Sequence, residues 1–314
     1  MAKRFAILMV AIIVCVAAVF LARLPVVSAP AKEAKINNSL ELESVQSLGN
    51  SPPLNLSARA ALSVFLNRGG KMEILVAKNA KESLPIASIT KLVTALTALK
   101  YADLNQPVTI NPATFVLTAD SGLLRAGDKF TLRSLLYPLL VESSNNAASV
   151  IAFESGQQKF ITEINSVAKE AGMANSRFFN PSGLDPEYYP KSSPNGVNQA
   201  TAYDLARLGR YLIDNHSADI LQITTLQGYQ LFTSDGKFHH ELQNTDRLLS
   251  SQNWRVDIVG GKTGSTALAK KNLLLILRDQ RSGGYLINVI LGADDNFADM
   301  KALVDWVYAS YRLT

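Results

Sequence analysis

Beyond residue 57 the hydrophobic and polar positions repeat with two different periods. Ala61 to Leu66 and Glu73 to Val76 alternate as strands do, and Asn67-Arg68-Gly69-Gly70 between them has the residues of a β-hairpin turn. From Ser88 to Lys100 the apolar positions Ile89, Leu92, Val93, Leu96 and Leu99 recur at helical spacing, and the spacing predicts a core-facing helix starting at Ser88. Helical patterns continue through Leu132 to Val141, Ala147 to Glu154, Phe160 to Ala171 and Ala202 to Ile213. Strand character returns in Val256 to Val259, Asn272 to Leu277 and Tyr285 to Leu291, the last two joined across Asp279 to Gly284. Ala298 to Tyr311 reads as a closing helix. Strands at both ends of this region with helices between them predict an α+β domain. Its antiparallel sheet is assembled from distant segments and flanked by helices, with a mostly helical subdomain.

The start of the chain follows neither period. Lys3 and Arg4 precede Phe5 to Ala22, eighteen residues without a charge, and Arg23 closes the run. No polar face interrupts it, so it reads as an export element rather than a core helix. Its length exceeds the usual signal core of about 7 to 15 residues and approaches the shortest spanning helices. A cleaved signal and a retained anchor therefore both fit, and Ala29 and Ala31 offer an A-x-A site. Either outcome puts the body outside the cytoplasm, in the periplasm or cell envelope, tethered to the membrane through residues 5–22 if uncleaved. Residues 32–57, which include Ser51-Pro52-Pro53, are polar and broken by prolines, and they read as a stalk. The division is then 1–31 for export or anchoring, 32–57 for the stalk and 58–314 for the folded body.

Charge and cysteine content narrow the classes. The net charge is +5, but without Lys3, Arg4 and Arg23 the 31 basic residues fall to 28 against 26 acids. A body so near neutrality does not advertise nucleic-acid binding. The only cysteine, Cys15, lies inside the apolar run, so the body has no disulfide and no cysteine metal site. His216, His239 and His240 are the only histidines. Alternation along a strand would send His239 and His240 to opposite faces, and with no HExxH pattern no metal and no cofactor is expected.

Covalent attack on an amide needs a nucleophile, a base, donors for the developing oxyanion and groups that position the substrate. Ser88-Ile89-Thr90-Lys91 supplies Ser-x-x-Lys at a predicted helix start, where positions i and i+3 share a face. The pattern recurs at Ser166 to Lys169 and Ser234 to Lys237, but the first lies inside a helical pattern and the second in a turn. Ser88 alone opens an apolar helix, whose N-terminal dipole favours developing negative charge. Ordinary helix capping is the competing reading of Ser88. Ser143-Ser144-Asn145 stands at the junction of two helices, and Lys262-Thr263-Gly264 follows the strand Val256 to Val259. Gly261-Lys262-Thr263 also mimics the end of a P-loop, but position 256 is valine where that motif needs glycine, and strand follows instead of helix.

Taken in order, Ser88-x-x-Lys91, Ser143-x-Asn145 and Lys262-Thr263-Gly264 resemble the serine D-Ala-D-Ala carboxypeptidases, the low-molecular-mass penicillin-binding proteins. Leu84 to Ala98, Ala126-Gly127-Asp128, Glu142 to Ala147, Asn180 to Asp185 and Asn244 to Leu249 agree as well, and the likeness spans roughly Ala58 to Thr314. The resemblance implies a β-lactamase/DD-peptidase-like fold and an acyl-enzyme formed on Ser88 by a peptidoglycan stem peptide. It makes Lys91 the general base and Ser143 a proton relay, with Asn145 on the substrate amide and Lys262 and Thr263 at its carbonyl and carboxylate side. Gly264 belongs to the same substrate-binding set, and the backbone N–H groups of Ser88 and Ser265 are the oxyanion donors. β-Lactam antibiotics are the covalent inhibitors it implies. Two departures bear on carboxylate recognition: Ser265 stands where many relatives carry histidine, and Tyr203 where some carry arginine. The chain ends directly after its closing helix, a layout that resembles the endopeptidase branch, and both carboxypeptidase and endopeptidase activity fit.

Rival readings fare less well. A class A β-lactamase needs a Glu-x-x-Leu-Asn element, which Glu163, Glu170 and Glu187 do not begin. A Ser-His-Asp hydrolase of the elbow type lacks its Gly-x-Ser-x-Gly. A non-catalytic envelope protein that only binds peptidoglycan remains the alternative from another class.

Overall fold

The computed structural model describes residues 53–115, 122–188 and 196–313, apart from 253 and 255. The export element and most of the stalk lie outside the described residues. Among the described residues no helix is long and apolar enough to cross a membrane.

Two strands open the body, β1 (Ala60–Leu66) and β2 (Met72–Lys78). Four helices follow: α1 (Thr90–Tyr101), α2 (Leu132–Leu140), α3 (Asn145–Glu154) and α4 (Gln157–Glu170). After α5 (Ala202–Asn215) comes the hairpin of β3 (Gly228–Phe232) and β4 (Phe238–Gln243). Next are β5 (Asp257–Thr266), β6 (Lys270–Arg278), β7 (Tyr285–Ala293) and the closing helix α6 (Asn296–Ser310). The main sheet has five strands in the order β2-β1-β7-β6-β5 and is antiparallel throughout. The first and last strands of the chain thus lie side by side, as the sequence pattern predicts.

Alternation in the central strands explains why the sheet is covered on both faces. Leu273, Leu275 and Leu277 of β6 and Leu286 and Ile290 of β7 pack with Met300, Leu303, Val304 and Val307 of α6. The intervening Ile276 and Ile287 point the other way, onto Gly209 of α5, where a Cβ would lie 2.7 Å from Ile287. Each buried leucine or isoleucine contributes about 1.5–3 kcal/mol, so the two layers hold the sheet firmly. Leu54 and Leu56 also pack on the α6 side, and Ser57 bonds to Asp299 through both its N–H and its hydroxyl. Packing of the body thus begins a few residues before Ala58.

Helix α1 is buried all round from Thr90 to Ala98, which places it at the centre of the helical region. Its N-terminus faces the outer strand β5. That junction of helix start, sheet edge and α2–α3 turn is where the chemistry-bearing residues collect.

Candidate active site

Ser88 lies in a short 3₁₀ turn, Ala87–Ile89, that leads into α1 at Thr90, so the helix starts two residues later than the spacing predicts. The capping positions of turn and helix are Ile86 and Ile89, so the Ser88 hydroxyl is not spent as a cap. Ala87 has φ +48°, a left-handed conformation that costs an alanine about 1–2 kcal/mol. Gly183 packs so tightly there that a Cβ would sit 1.9 Å from the Ala87 carbonyl oxygen. Asn198 donates to Thr90 Oγ1 (3.1 Å) and to the Asn180 carbonyl (2.8 Å), fastening the Asn180 to Gly183 loop onto α1.

Three residues on from Ser88, Lys91 Nζ lies 2.8 Å from Ser88 Oγ. It is also 2.7 Å from Asn145 Oδ1 and 2.9 Å from the Ser182 carbonyl oxygen, and Lys91 is fully buried. Burial holds its amine well below the ordinary lysine range, and the charge of Lys262 pushes in the same direction. The Ser182 carbonyl is aimed by Asn180, whose Oδ1 accepts from the N–H groups of Ser182 and Gly183. Asn145 is aimed by the α2–α3 turn. Ser144 caps α3 by accepting from the Ala147 N–H at 3.2 Å, and Ser143 just before it has φ +64°.

Lys262, Thr263 and Gly264 lie within the edge strand β5, which continues to Thr266. The sequence reading ended that strand at Val259. Gly260 and Gly261 carry no side-chain signal, which hid the continuation. Gly264 lets the strand touch the Ser88 turn, since a Cβ there would sit 2.6 Å from the Ile86 carbonyl oxygen and 3.1 Å from the Ser88 nitrogen. Asp185 ties down the strand end by accepting from Thr266 Oγ1 (2.8 Å) and the Leu268 N–H (3.2 Å).

The Lys262 ammonium is buried beside Thr245. It donates to Thr245 Oγ1 at 3.4 Å and to the Thr263 carbonyl at 3.3 Å, while the two threonine hydroxyls are 2.6 Å apart. Burial lowers Lys262 to about 7, against an upward pull from Asp246. Asp246 is itself raised by burial, opposed by the Leu248 N–H and by Lys262.

These groups surround a single cleft of about 1230 Å³. Ser88, Ser143, Asn145, Thr263, Gly264 and Ser265 line it, with Lys91 and Lys262 buried behind the lining. The structure thus brings together Ser88, Lys91, Ser143, Asn145, Lys262, Thr263, Gly264 and Ser265, from the start of α1, the α2–α3 turn and β5, whereas Tyr203 lines a separate pocket beside Asn79 and Ala80. It adds three to which the sequence reading did not assign a role: Ser182 through its carbonyl, Thr245 and Asp246. Their stretches, Asn180 to Asp185 and Asn244 to Leu249, carry the signal, but a carbonyl contact cannot be read from residue type.

The histidine pair departs from expectation. Leu231 pairs with His240 and Phe232 with Phe238, so His239 is the extra residue of a β-bulge. The bulge turns both rings to one side of the hairpin instead of opposite faces. Their Nδ1 atoms are 2.5 Å apart, and each Nε2 meets a carboxylate, Asp128 for His239 and Glu142 for His240. Among the described residues no cluster of three or more histidine, cysteine or acidic side chains is arranged to hold a metal ion.

Comparison with known proteins agrees with this geometry. A family model described as D-alanyl-D-alanine carboxypeptidase matches residues 47–295. The chain is 28% identical over 266 residues to D-alanyl-D-alanine carboxypeptidase DacF of Bacillus subtilis, covering 81% of this chain and 64% of that one. It thus spans just under two thirds of DacF. It is also 28% identical over 259 residues to the D-alanyl-D-alanine endopeptidase of Pseudomonas aeruginosa, covering 80% of this chain and 77% of the relative. Among solved structures, penicillin-binding protein D2 of Listeria monocytogenes in its cefotaxime-bound form superposes with a TM-score of 0.66 at 27% identity. That match covers 82% of this chain and 99% of the other. The family match extends over well more than half of the sequence and includes all three motif sets. This chain belongs to the D-alanyl-D-alanine carboxypeptidase family and has the fold of the penicillin-binding proteins.

Proposed function

We propose that this serine DD-peptidase works through an acyl-enzyme on Ser88, with Lys91 as the general base. The observation that carries the reading is the set of three contacts at Lys91 Nζ. A neutral amine has two hydrogens and one lone pair. Asn145 Oδ1 and the Ser182 carbonyl can only accept, so they take the two hydrogens, and the lone pair is left for the Ser88 hydroxyl proton at 2.8 Å. Burial and the nearby Lys262 favour that neutral form.

In the acylation step the Ser88 oxygen bonds to the carbonyl carbon of the penultimate D-alanine, and the C–N bond to the leaving residue breaks. The serine proton passes to Lys91 and reaches the departing amine by way of Ser143. Water then adds to the ester, its proton returning through Lys91, and Ser88 is regenerated. Asn145 holds the substrate amide, Lys262 and Thr263 receive its carbonyl and carboxylate side, and the N–H groups of Ser88 and Ser265 stabilise the oxyanion. The fit of Gly264 against the Ser88 nitrogen supports that last assignment.

The leaving residue is the terminal D-alanine of a stem peptide or the amine partner of a D-alanine cross-link. The cleft continues past Ser265 to Asp295 and Lys301, which leaves room for the larger leaving group, and the relatives carry both activities in their names. The catalytic domain, with Leu54 to Ser57 packed onto it ahead of Ala58, is carried outside the cytoplasm by residues 1–31 on the polar segment that follows them. β-Lactams acylate Ser88 as substrate mimics; the Listeria relative has been crystallised with cefotaxime and with ampicillin.

Fluorescent penicillin tests the reading. Labelling of the wild-type chain and none of Ser88→Ala is the expected result, and equal labelling of both would sink it. Incubation with purified muropeptides then separates the activities, because pentapeptides trimmed to tetrapeptides mark a carboxypeptidase and dimers converted to monomers mark an endopeptidase.

A further inference from the structure

Four ionisable side chains outside the acylation machinery form a continuous run of contacts that ends beside Ser143. Asp128 Oδ2 is 2.8 Å from His239 Nε2, the two histidine Nδ1 atoms are 2.5 Å apart, and His240 Nε2 is 3.1 Å from Glu142 Oε2. Both rings are nearly buried, 8% and 11% exposed. Phe130 meets His239 edge-on. Glu142 is the residue before Ser143, and both line the cleft. Its other oxygen, Oε1, is buried without a hydrogen-bond partner, so the carboxylate is held through Oε2.

The turn that Glu142 belongs to is not relaxed. Ser143 has φ +64°, a conformation that persists in a serine only when its surroundings impose it. Main-chain bonds fix the two ends, Thr245 N–H to the Val141 carbonyl (3.2 Å) and Ser144 N–H to the Pro138 carbonyl (2.9 Å). From the other side Gly122 presses close, since a Cβ there would be 3.0 Å from Glu142 Oε1 and 2.3 Å from Ser144 Oγ. Between the two ends, Glu142 gripping His240 connects the turn to the β3–β4 hairpin.

We infer that His240, backed by His239 and Asp128, is a positioning residue that sets the Ser143 hydroxyl by holding Glu142. The inference rests on the acyl-enzyme reading above. The run of contacts anchors the Glu142 carboxylate to the hairpin through His240 and, through His239, to Asp128.

The ionisable groups facing the pair are Asp128, from the turn before residues 129–131, and Glu142, from the α2–α3 turn. Arg125 and Lys129 flank Asp128 in sequence, and Asp235, Lys237 and Glu241 lie on the hairpin itself.

The test is the rate of acylation by fluorescent penicillin, together with its affinity, in wild type, Ser88→Ala, His240→Ala, His240→Gln and His240→Asn. A glutamine amide reaches as far as Nε2 and can keep the Glu142 contact, whereas an asparagine amide matches Nδ1 and cannot. His240→Ala is expected to lower the acylation rate about tenfold with little change in penicillin affinity. His240→Gln recovers to within about threefold of wild type, and His240→Asn stays as slow as alanine. Should the alanine variant misfold, the glutamine and asparagine pair still decides the matter. Equal rates for those two, or a wild-type rate in His240→Ala while Ser88→Ala stays unlabelled, overturns this inference alone. Labelling of Ser88→Ala at the wild-type rate overturns the acyl-enzyme reading and this inference with it.

Discussion

Lys91 and Lys262 are the same residue, both buried and both close to one cleft, yet their surroundings prepare them for opposite tasks. Lys91 sits at the start of a helix among three neutral oxygens, and both influences on it, burial and the Lys262 charge, favour the neutral amine. Lys262 sits on the sheet edge, equally desolvated, but Asp246 pulls it back to about 7. Near pH 7 Lys262 still carries charge part of the time, while Lys91 is held well below the ordinary lysine range. On the proposed reading one carboxylate separates a base from an anion receptor, which residue type alone could not have told.

Breaking the Lys91 side has the largest expected effect. Lys91→Arg keeps a cation but cannot offer a lone pair, so acylation by penicillin should fall about 10³-fold, as far as in Lys91→Met. An arginine variant that kept a tenth of the wild-type rate in stopped-flow labelling would mean that position 91 works as a charge and not as a base.

Breaking the Lys262 side costs less and moves the pH profile. Lys262→Met should lower acylation about 10²-fold by removing one electrostatic contact to the substrate. It also removes the cation that depresses Lys91, so Lys91 protonates more readily and the acid limb shifts to higher pH. An unshifted limb would mean that burial alone sets the Lys91 proton.

The same comparison can be read from stability. In the unfolded chain Lys262 returns to its ordinary value of 10.5, whereas in the folded chain it is about 7. Between those values the unfolded state holds a proton that the folded state does not, so stability rises with pH across the window. The slope is about 1.4 kcal/mol per pH unit for one group at most. Below about 7 both states are protonated and this gain is absent. Urea unfolding at several pH values between 7 and 10 should give a flatter line for Lys262→Met than for wild type. Parallel lines would mean that Lys262 stays charged in the folded protein.

How much of this the sequence carried depends on the kind of signal. Ser88 and Lys91 were legible because three residues along a helix fix their proximity, whatever the rest of the fold does. The sheet was legible because Leu273 to Leu277 and Tyr285 to Leu291 are apolar enough to declare themselves. What escaped was set by backbone. The strand through Lys262 was hidden by two glycines, the Ser182 carbonyl has no side-chain signature, and the left-handed Ala87 packs against Gly183, 96 residues away, where no side chain fits. The histidine pair fails for a related reason: one extra residue in β4 reverses the face of a ring, and alternation rules assume no such residue.

The finest test of the two lysines leaves both in place. Asp246→Asn keeps an oxygen to accept the Leu248 N–H at 3.0 Å, so the turn should hold, but it removes the one negative charge that raises Lys262. Lys262 then drops below about 7 and loses its charge earlier as pH rises, drawing the alkaline limb of acylation to lower pH. With Lys262 less charged, Lys91 is less depressed, and the acid limb moves to higher pH. The profile should therefore narrow from both sides while the rate at its optimum falls only about threefold, since no group touching the substrate has been removed. A profile of unchanged width would assign the difference between the lysines to burial alone and remove Asp246 from the explanation.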